Sequence, residues 1–391
     1  MKRFSAQYII TNSGPPLKRA VITTEDDGTI LSIEDTGGNL EEKHSVEFHN
    51  GIIIPGFVNC HCHLELSHMK GSVAQGSGLG GFIEQVRNTR DNNSESIITS
   101  AYSADNDMYK EGVALCADVC NTSLSFNIKK ESRIRYINLL EVFGIDPEKA
   151  SRRMDEIIKV AEIAEDMNLP FSMVPHSAYS MSLPLLRLLR EKSNNNKVTS
   201  IHFMETAGEK AFLENHSGPL MTSYKQSGLI SSRLETVKSH VDAVLNEITP
   251  AGNLILVHNT FVDMDTIRMI KERKNLFWCL CPNSNIYIEN EIPPLNLLIE
   301  EGCEIVIGTD SLASNNKLNI LEELKTLQLN FPSVSIEELV RWATVNGAKA
   351  LGEEGEFGKI ETGKKPGLLL LQNADLINMK LLPGSFVTRL I

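Results

Sequence analysis

Eight short apolar runs punctuate the middle of this 391-residue chain. They are Ile52–Val58, Val113–Val119, Ile134–Val142, Pro170–Val174, Val198–Phe203, Leu254–Val257, Leu276–Leu280 and Ile305–Ile307. Segments of helical period lie between most of them, such as Glu148–Asn168, Leu183–Lys192 and Asp263–Lys274. Strands that are apolar almost throughout belong in a parallel sheet covered by helices on both faces. Eight such units predict an α/β fold of the closed (β/α)8, TIM-like kind. An open doubly wound sheet is the rival. It would gather its polar residues at one crevice, whereas here they stand at the C-terminal ends of many strands.

The two ends of the chain have a different texture. Short strands are expected around Tyr8–Thr11, Arg19–Thr23, Ile30–Glu34 and Val46–His49, with turns at Asp26-Asp27-Gly28 and Gly37-Gly38. The tail is turn-rich at Gly358–Glu361 and Gly363–Gly367, then extended at Leu368–Leu371 and Phe386–Ile391. Residues 1–55 and 358–391 are therefore expected to pair into one small β-sandwich, flanking a barrel of residues 56–357. The polar stretch Thr206–Pro250 reads as helices and loops overhanging the barrel mouth.

A net charge of −12 argues against nucleic acid or an anionic membrane surface as partner. No apolar run approaches a membrane span, and Tyr8-Ile9-Ile10 is too short for a signal-peptide core. Seven cysteines without an export signal point to reduced thiols and a cytoplasmic location. The expected partner is a small-molecule substrate, and the expected assembly is a homodimer.

The first strand runs into Asn59-Cys60-His61-Cys62-His63. Side chains on a strand alternate, so His61 and His63 share a face and can grip one divalent metal. Cys60 and Cys62 would then face the outer helices as small apolar residues. Further polar residues stand at other strand ends: His176, His202 with Glu205 three residues on, His258, and Gly308-Thr309-Asp310-Ser311. Each alone has a bland role. Asp310 could cap a helix, and His176 could be a satisfied core residue. Together they converge on the barrel face where chemistry occurs. Buried ionisable groups there are costly unless paired or metal-bound.

These motifs resemble the amidohydrolase superfamily. The likeness rests on Pro55–His63, His202-Phe203-Met204-Glu205-Thr206, Val257-His258-Asn259 and Gly308–Ser311. Within it, Pro175-His176-Ser177, His63-Leu64-Glu65-Leu66-Ser67 and the His-x-x-Glu of strand five resemble the cytosine/adenosine-type deaminases, in particular the aminofutalosine and S-adenosylhomocysteine branch. The resemblance implies a metallo-dependent hydrolase barrel with His61, His63, His202 and Asp310 as metal ligands. Binuclear relatives carry a bridging lysine on strand four. Here that strand reads Phe171-Ser172-Met173-Val174, which implies one divalent metal per chain. Zn²⁺ suits three imidazoles and a carboxylate, and Fe²⁺ would also fit. Such an ion lowers the pKa of its water to roughly 7. Asp310 would take that water's proton, Glu205 would protonate the substrate ring nitrogen, and His258 would orient the attacking group.

His176, Glu65 and Asn283 are expected to contact substrate; for Glu65 a structural hydrogen bond is an equal alternative. Gly76–Gly81 reads as a flexible loop over the mouth, since it lacks the Lys-Ser/Thr of a phosphate loop. His68 is assigned to a loop, and His216 and His240 to the surface. The leading function is an aminohydrolase releasing ammonia from an N-heterocyclic, purine-nucleoside-like substrate. The rivals are hydrolysis of another C–N or C–Cl bond on the same fold, and a non-catalytic barrel.

Overall fold

The computed structural model describes residues 1–41, 45–89, 93–230 and 234–391. Among these, the N-terminal strands are β1 (Lys2–Ile9), β2 (Leu17–Lys18), β3 (Val21–Thr24), β4 (Ile30–Glu34) and β5 (Glu47–Pro55). The barrel strands are β6 (Phe57–Cys62), β7 (Val113–Cys120), β8 (Arg135–Val142), β9 (Phe171–Pro175), β10 (Val198–Phe203), β11 (Asn253–His258), β12 (Leu276–Leu280) and β13 (Ile305–Ile307). Two C-terminal strands follow, β14 (Leu368–Gln372) and β15 (Phe386–Arg389).

β6 to β9 and β10 to β13 form two parallel four-stranded sheets. The sheets meet at both seams to make the (β/α)8 barrel. At one seam Ser177 pairs with His202, and the His202 N–H donates to the His176 carbonyl at 2.8 Å. At the other Cys62 pairs with Asp310, and the Thr309 and Asp310 N–H groups donate to the His61 carbonyl at 2.9 and 3.0 Å. The residues that close the barrel are thus the strand-end residues singled out in the sequence.

One core cluster draws alternate residues from all eight barrel strands: Val58, Leu115, Ile137, Val174, Val198, Ile255, Phe277 and Val306 among them. Only the barrel interior can collect side chains in that way. The intervening residues, such as Leu254, Leu256, Trp278, Leu280, Ile305 and Ile307, pack outward in the larger core with the helices. Cys60 lies in the interior cluster and Cys62 in the outer one. The two cysteines therefore do not share the outer face. The pairing of β6 with β7 steps from Asn59↔Cys116 to Cys62↔Asp118, which leaves one extra residue on β6. That bulge breaks the strict alternation.

The apolar run Ile52–Val58 is divided between two sheets. Ile52–Pro55 ends β5, and β6 starts at Phe57. Gly56 makes the break. A Cβ there would lie 2.6 Å from the Pro366 carbonyl oxygen and 2.7 Å from Ala114 Cβ. Only glycine allows that approach.

Strands from both chain ends share one seven-stranded sheet of order β15-β14-β5-β1-β3-β4, with β2 beside β1. β14 runs antiparallel to β5, with Leu368 opposite Pro55 and Leu371 opposite Ile52. Alternation divides this sheet's side chains. Ile53, Leu368 and Leu370 join Phe4, Ile9 and Ile22 in a small separate core. Ile52, Ile54, Leu369 and Leu371 join the main core. Between β10 and β11 stand helices Gly208–Asn215 and Gly218–Gln226 and two short turns, His240–Asp242 and Ala243–Glu247. Residues 231–233 of that stretch lie outside the described residues. Among the described residues no helix is long and apolar enough to cross a membrane.

Candidate active site

His61 and His63 meet at the end of β6 with their Nε2 atoms 3.2 Å apart. Asp310 Oδ1 lies 3.7 Å from the first and 3.5 Å from the second. The other Asp310 oxygen, Oδ2, accepts from Ser284 and Ser314, each at 2.6 Å. Those two hydroxyls aim Oδ1 at the imidazoles. Asp310 also sits in the left-handed region, at φ 56°. A non-glycine residue stays there only when its surroundings hold it. His202 offers Nδ1 to the His176 carbonyl at 2.8 Å. A carbonyl only accepts, so Nδ1 carries the proton and Nε2 keeps its lone pair.

Burial holds the His61 imidazole down to about 3. It also depresses His63 strongly, and His202 in the same direction. All three rings are neutral at physiological pH, the state in which imidazole ligates. Burial works against the Asp310 carboxylate. The hydrogen-bonding His61 and the nearby His63 and His258 outweigh it and hold the group well below the usual range. Three neutral imidazoles and an ionised carboxylate gathered at one mouth suit a divalent cation. Three overlapping donor groups occur here: His61 with His63 and Asp310, His61 with His202 and His258, and His63 with Glu141 and His202.

Glu205 lies two residues beyond β10 and is buried. Tyr179 OH donates to its Oε1. Its Oε2 lies 3.3 Å from His258 Nε2. His258 closes β11 in a left-handed conformation, φ 77°. Its Nδ1 meets the Asn285 side-chain oxygen at 2.8 Å, so the proton sits on Nδ1. Nε2 then faces Glu205 as an acceptor. Burial raises the Glu205 carboxyl to about 8. It holds its proton at neutral pH, beside four groups disposed to bind a cation.

A cavity of about 370 Å³ opens onto these groups. Helix Gly78–Thr89 lends it Leu79, Phe82, Ile83, Val86 and Arg87, the spacing of one helix face. Gly78, Gly80 and Gly81 thus belong to a helical wall rather than a loop. Tyr224 and Leu229 descend from the overhang. His176 faces the same space, with Nδ1 held by Ser180 Oγ at 2.7 Å and Ser177 Oγ at 3.0 Å.

Two residues expected at the substrate stand elsewhere. The Glu65 carboxylate accepts from Asn121 N–H at 3.0 Å and from the Thr122 N–H and hydroxyl at 3.3 and 2.9 Å, and it does not line the cavity. The Asn283 N–H donates to Glu323 at 2.9 Å, while its side-chain oxygen accepts from Thr326 at 2.6 Å. Its neighbours Ser284 and Asn285 turn to Asp310 and His258 instead. The Pro282 helix start dictates which residue faces the mouth, and the sequence offers no period to reveal it. Tyr179, three residues after His176, also escaped notice. His216 is exposed, as expected, but His240 is buried, with Nε2 2.5 Å from Glu209 Oε2. Its partner is 31 positions away in sequence, so no local pattern betrays it.

The model of the Amidohydrolase family matches residues 52–383. An adenosine deaminase of Helicobacter pylori is 28% identical over 327 residues, 82% of this chain and 79% of that protein. A 5'-deoxyadenosine deaminase of Methanobrevibacter smithii is 28% identical over 377 residues, 91% of this chain and 80% of that protein. Among solved structures, Helicobacter pylori aminofutalosine deaminase in complex with methylthio-coformycin superposes over 100% of both chains with TM-score 0.80 at 23% identity. Zinc-bound atrazine chlorohydrolase of Arthrobacter aurescens covers 96% of this chain and 88% of its own, with TM-score 0.72 at 15% identity. The chain belongs to the amidohydrolase family. It is a metal-dependent hydrolase acting on carbon–nitrogen bonds.

Proposed function

We propose that this enzyme deaminates a purine-nucleoside-like substrate, replacing the exocyclic amine of an N-heterocycle with oxygen and releasing ammonia. The observation that carries the reading is the buried, proton-bearing Glu205 set 3.3 Å from His258 and beside the His61, His63, His202 and Asp310 cluster. In this reading those four residues hold one Zn²⁺ per chain. Such an ion would supply the activation of water for attack. Glu205 gives its proton to the ring nitrogen next to the attacked carbon, which makes that carbon electrophilic. Water adds there, the C–N bond breaks, and the amine leaves as ammonia after gaining a proton that Glu205 has taken from the water. Asp310 accepts the other proton, and its passage back to Glu205 as the products leave restores both groups. His258, locked by Asn285, presents a fixed acceptor to the attacking group. His176 contacts the substrate from the cavity wall. Six buried cysteines, all seven unpaired, support a reducing, cytoplasmic setting.

Glu205→Gln tests the reading. The variant keeps the shape of the carboxylic acid and is no metal ligand. Metal content and melting temperature should stay at parental values, while ammonia release falls about 10²–10⁴-fold. Loss of metal along with activity would make Glu205 a ligand. Parental turnover would remove it from the chemistry.

A further inference from the structure

The loop that carries Glu205 leaves β10 through Met204, a left-handed residue at φ 48°. Such a bend persists only where its surroundings fix it. Here the Phe261 N–H, which donates to the Met204 carbonyl at 2.9 Å, and one carboxylate do so. Glu209 Oε1 accepts the Glu205 N–H at 2.6 Å and the Thr206 N–H at 3.0 Å. Its other oxygen, Oε2, accepts from His240 Nε2 at 2.5 Å. Glu209 is 1% exposed and His240 6%. Neither side chain lines the substrate cavity. The His240 ring also packs edge-on against Phe203 of β10, centroids 5.3 Å apart.

We propose that Glu209 and His240 are positioning residues for Glu205: a sealed clamp that fixes the Glu205 backbone, and fastens helix Gly208–Asn215 and the turn His240–Asp242 to the end of β10. The inference rests on the deaminase reading of Glu205. Its chemistry is specific. Three N–H donors converge on two carboxylate oxygens, so an apolar side chain of similar size in place of Glu209, such as leucine, leaves all three unmet. The Glu205 side chain then loses its fixed approach to Tyr179 and His258. Misplacement of a reacting group by about 1 Å costs about 10²-fold in rate.

The test uses metal-loaded Glu209→Leu, His240→Gln and His240→Phe. Glu209→Leu should lower kcat by about 10²-fold at unchanged metal content, with KM changing far less than kcat. His240→Phe should lose kcat, and His240→Gln, which keeps an N–H donor, should recover part of it. Added to Glu205→Gln, the Glu209→Leu change should lower kcat no further, because the group it positions has gone. Parental kcat in the folded fraction of Glu209→Leu and His240→Phe, with only melting temperatures lowered, would overturn the proposal. So would full additivity in the double variant. Should Glu209→Leu fail to fold, the two His240 variants decide alone. Parental turnover in Glu205→Gln sinks the deaminase reading itself; an impaired Glu205→Gln beside a fully active Glu209→Leu sinks only the clamp.

Discussion

A buried carboxyl keeps its proton where burial outweighs its partners, and Glu205 and Glu323 are two such groups. Burial raises both Glu205 and Glu323 to about 8. Glu323 is fully buried and accepts from Asn283 N–H at 2.9 Å and Asn315 Nδ2 at 2.7 Å. Its folded pKa exceeds the unfolded value of about 4.3, so between those pH values the folded state binds more protons. Stability therefore falls as pH rises through that window. Glu323→Gln imitates the protonated group. The metal-free parent should lose melting temperature from pH 5 to pH 9 faster than the metal-free variant. Parallel curves would contradict the assignment. Gly308 makes a second residue-scale prediction. A Cβ there would lie 2.7 Å from His61 Cβ and 2.9 Å from Cys279 Sγ. Gly308→Ala should cost about 1–3 kcal/mol by overpacking and lower the metal content by pushing His61 aside; elemental analysis at full occupancy would refute this. At this scale the sequence pointed to residues that stand at strand ends and that the fold gathers at one mouth: His61, His63, His202, His258 and Asp310. It misplaced Asn283, because which side of a turn faces inward depends on backbone angles that residue types do not encode.

Elements were legible where burial leaves a mark in composition. Each of the eight apolar runs overlaps a barrel strand because a strand covered on both faces has no polar side to interrupt it. Two features of backbone path stayed hidden. The break at Gly56 lies inside the apolar run Ile52–Val58, and the bulge in β6 lies just beyond it, between Asn59 and Cys62. Helix Gly78–Thr89 was masked by its glycines, which weaken helix propensity and speak for a loop. The pairing of β14 with β5 carries a prediction. We propose that residues 1–55 and 358–391 behave as one folding unit, because Leu368 and Leu370 of β14 complete the small core of Phe4, Ile9, Ile22 and Ile53. Deleting residues 368–391 would strip Leu368–Leu371 from Ile52–Pro55 and uncover Ile53 and Phe4. The truncated chain should aggregate on size-exclusion chromatography. A soluble, active, monodisperse truncation would contradict the pairing.

At the scale of the whole molecule, the barrel is closed by its own site. One seam joins β6 to the end of β13 through His61 and Asp310, and the other joins β9 to β10 through His176 and His202. A cation held by His61, His63, His202 and Asp310 would tie both seams at once. A ligand that binds only the folded state stabilises it by about 4 kcal/mol at a thousand times its dissociation constant. Chelation should therefore lower the melting temperature of the full chain, and one equivalent of Zn²⁺ should restore it. An unchanged melting temperature, or a need for two equivalents, would contradict a single ion at the seams. The central claim is chemical, and ammonia release tests it most directly. The metal-loaded protein is presented in turn with adenosine, 5'-deoxyadenosine, methylthioadenosine, S-adenosylhomocysteine and aminofutalosine. The account predicts stoichiometric ammonia from at least one of them, abolished by chelation. Metal-replete protein that releases none from any of them would contradict it.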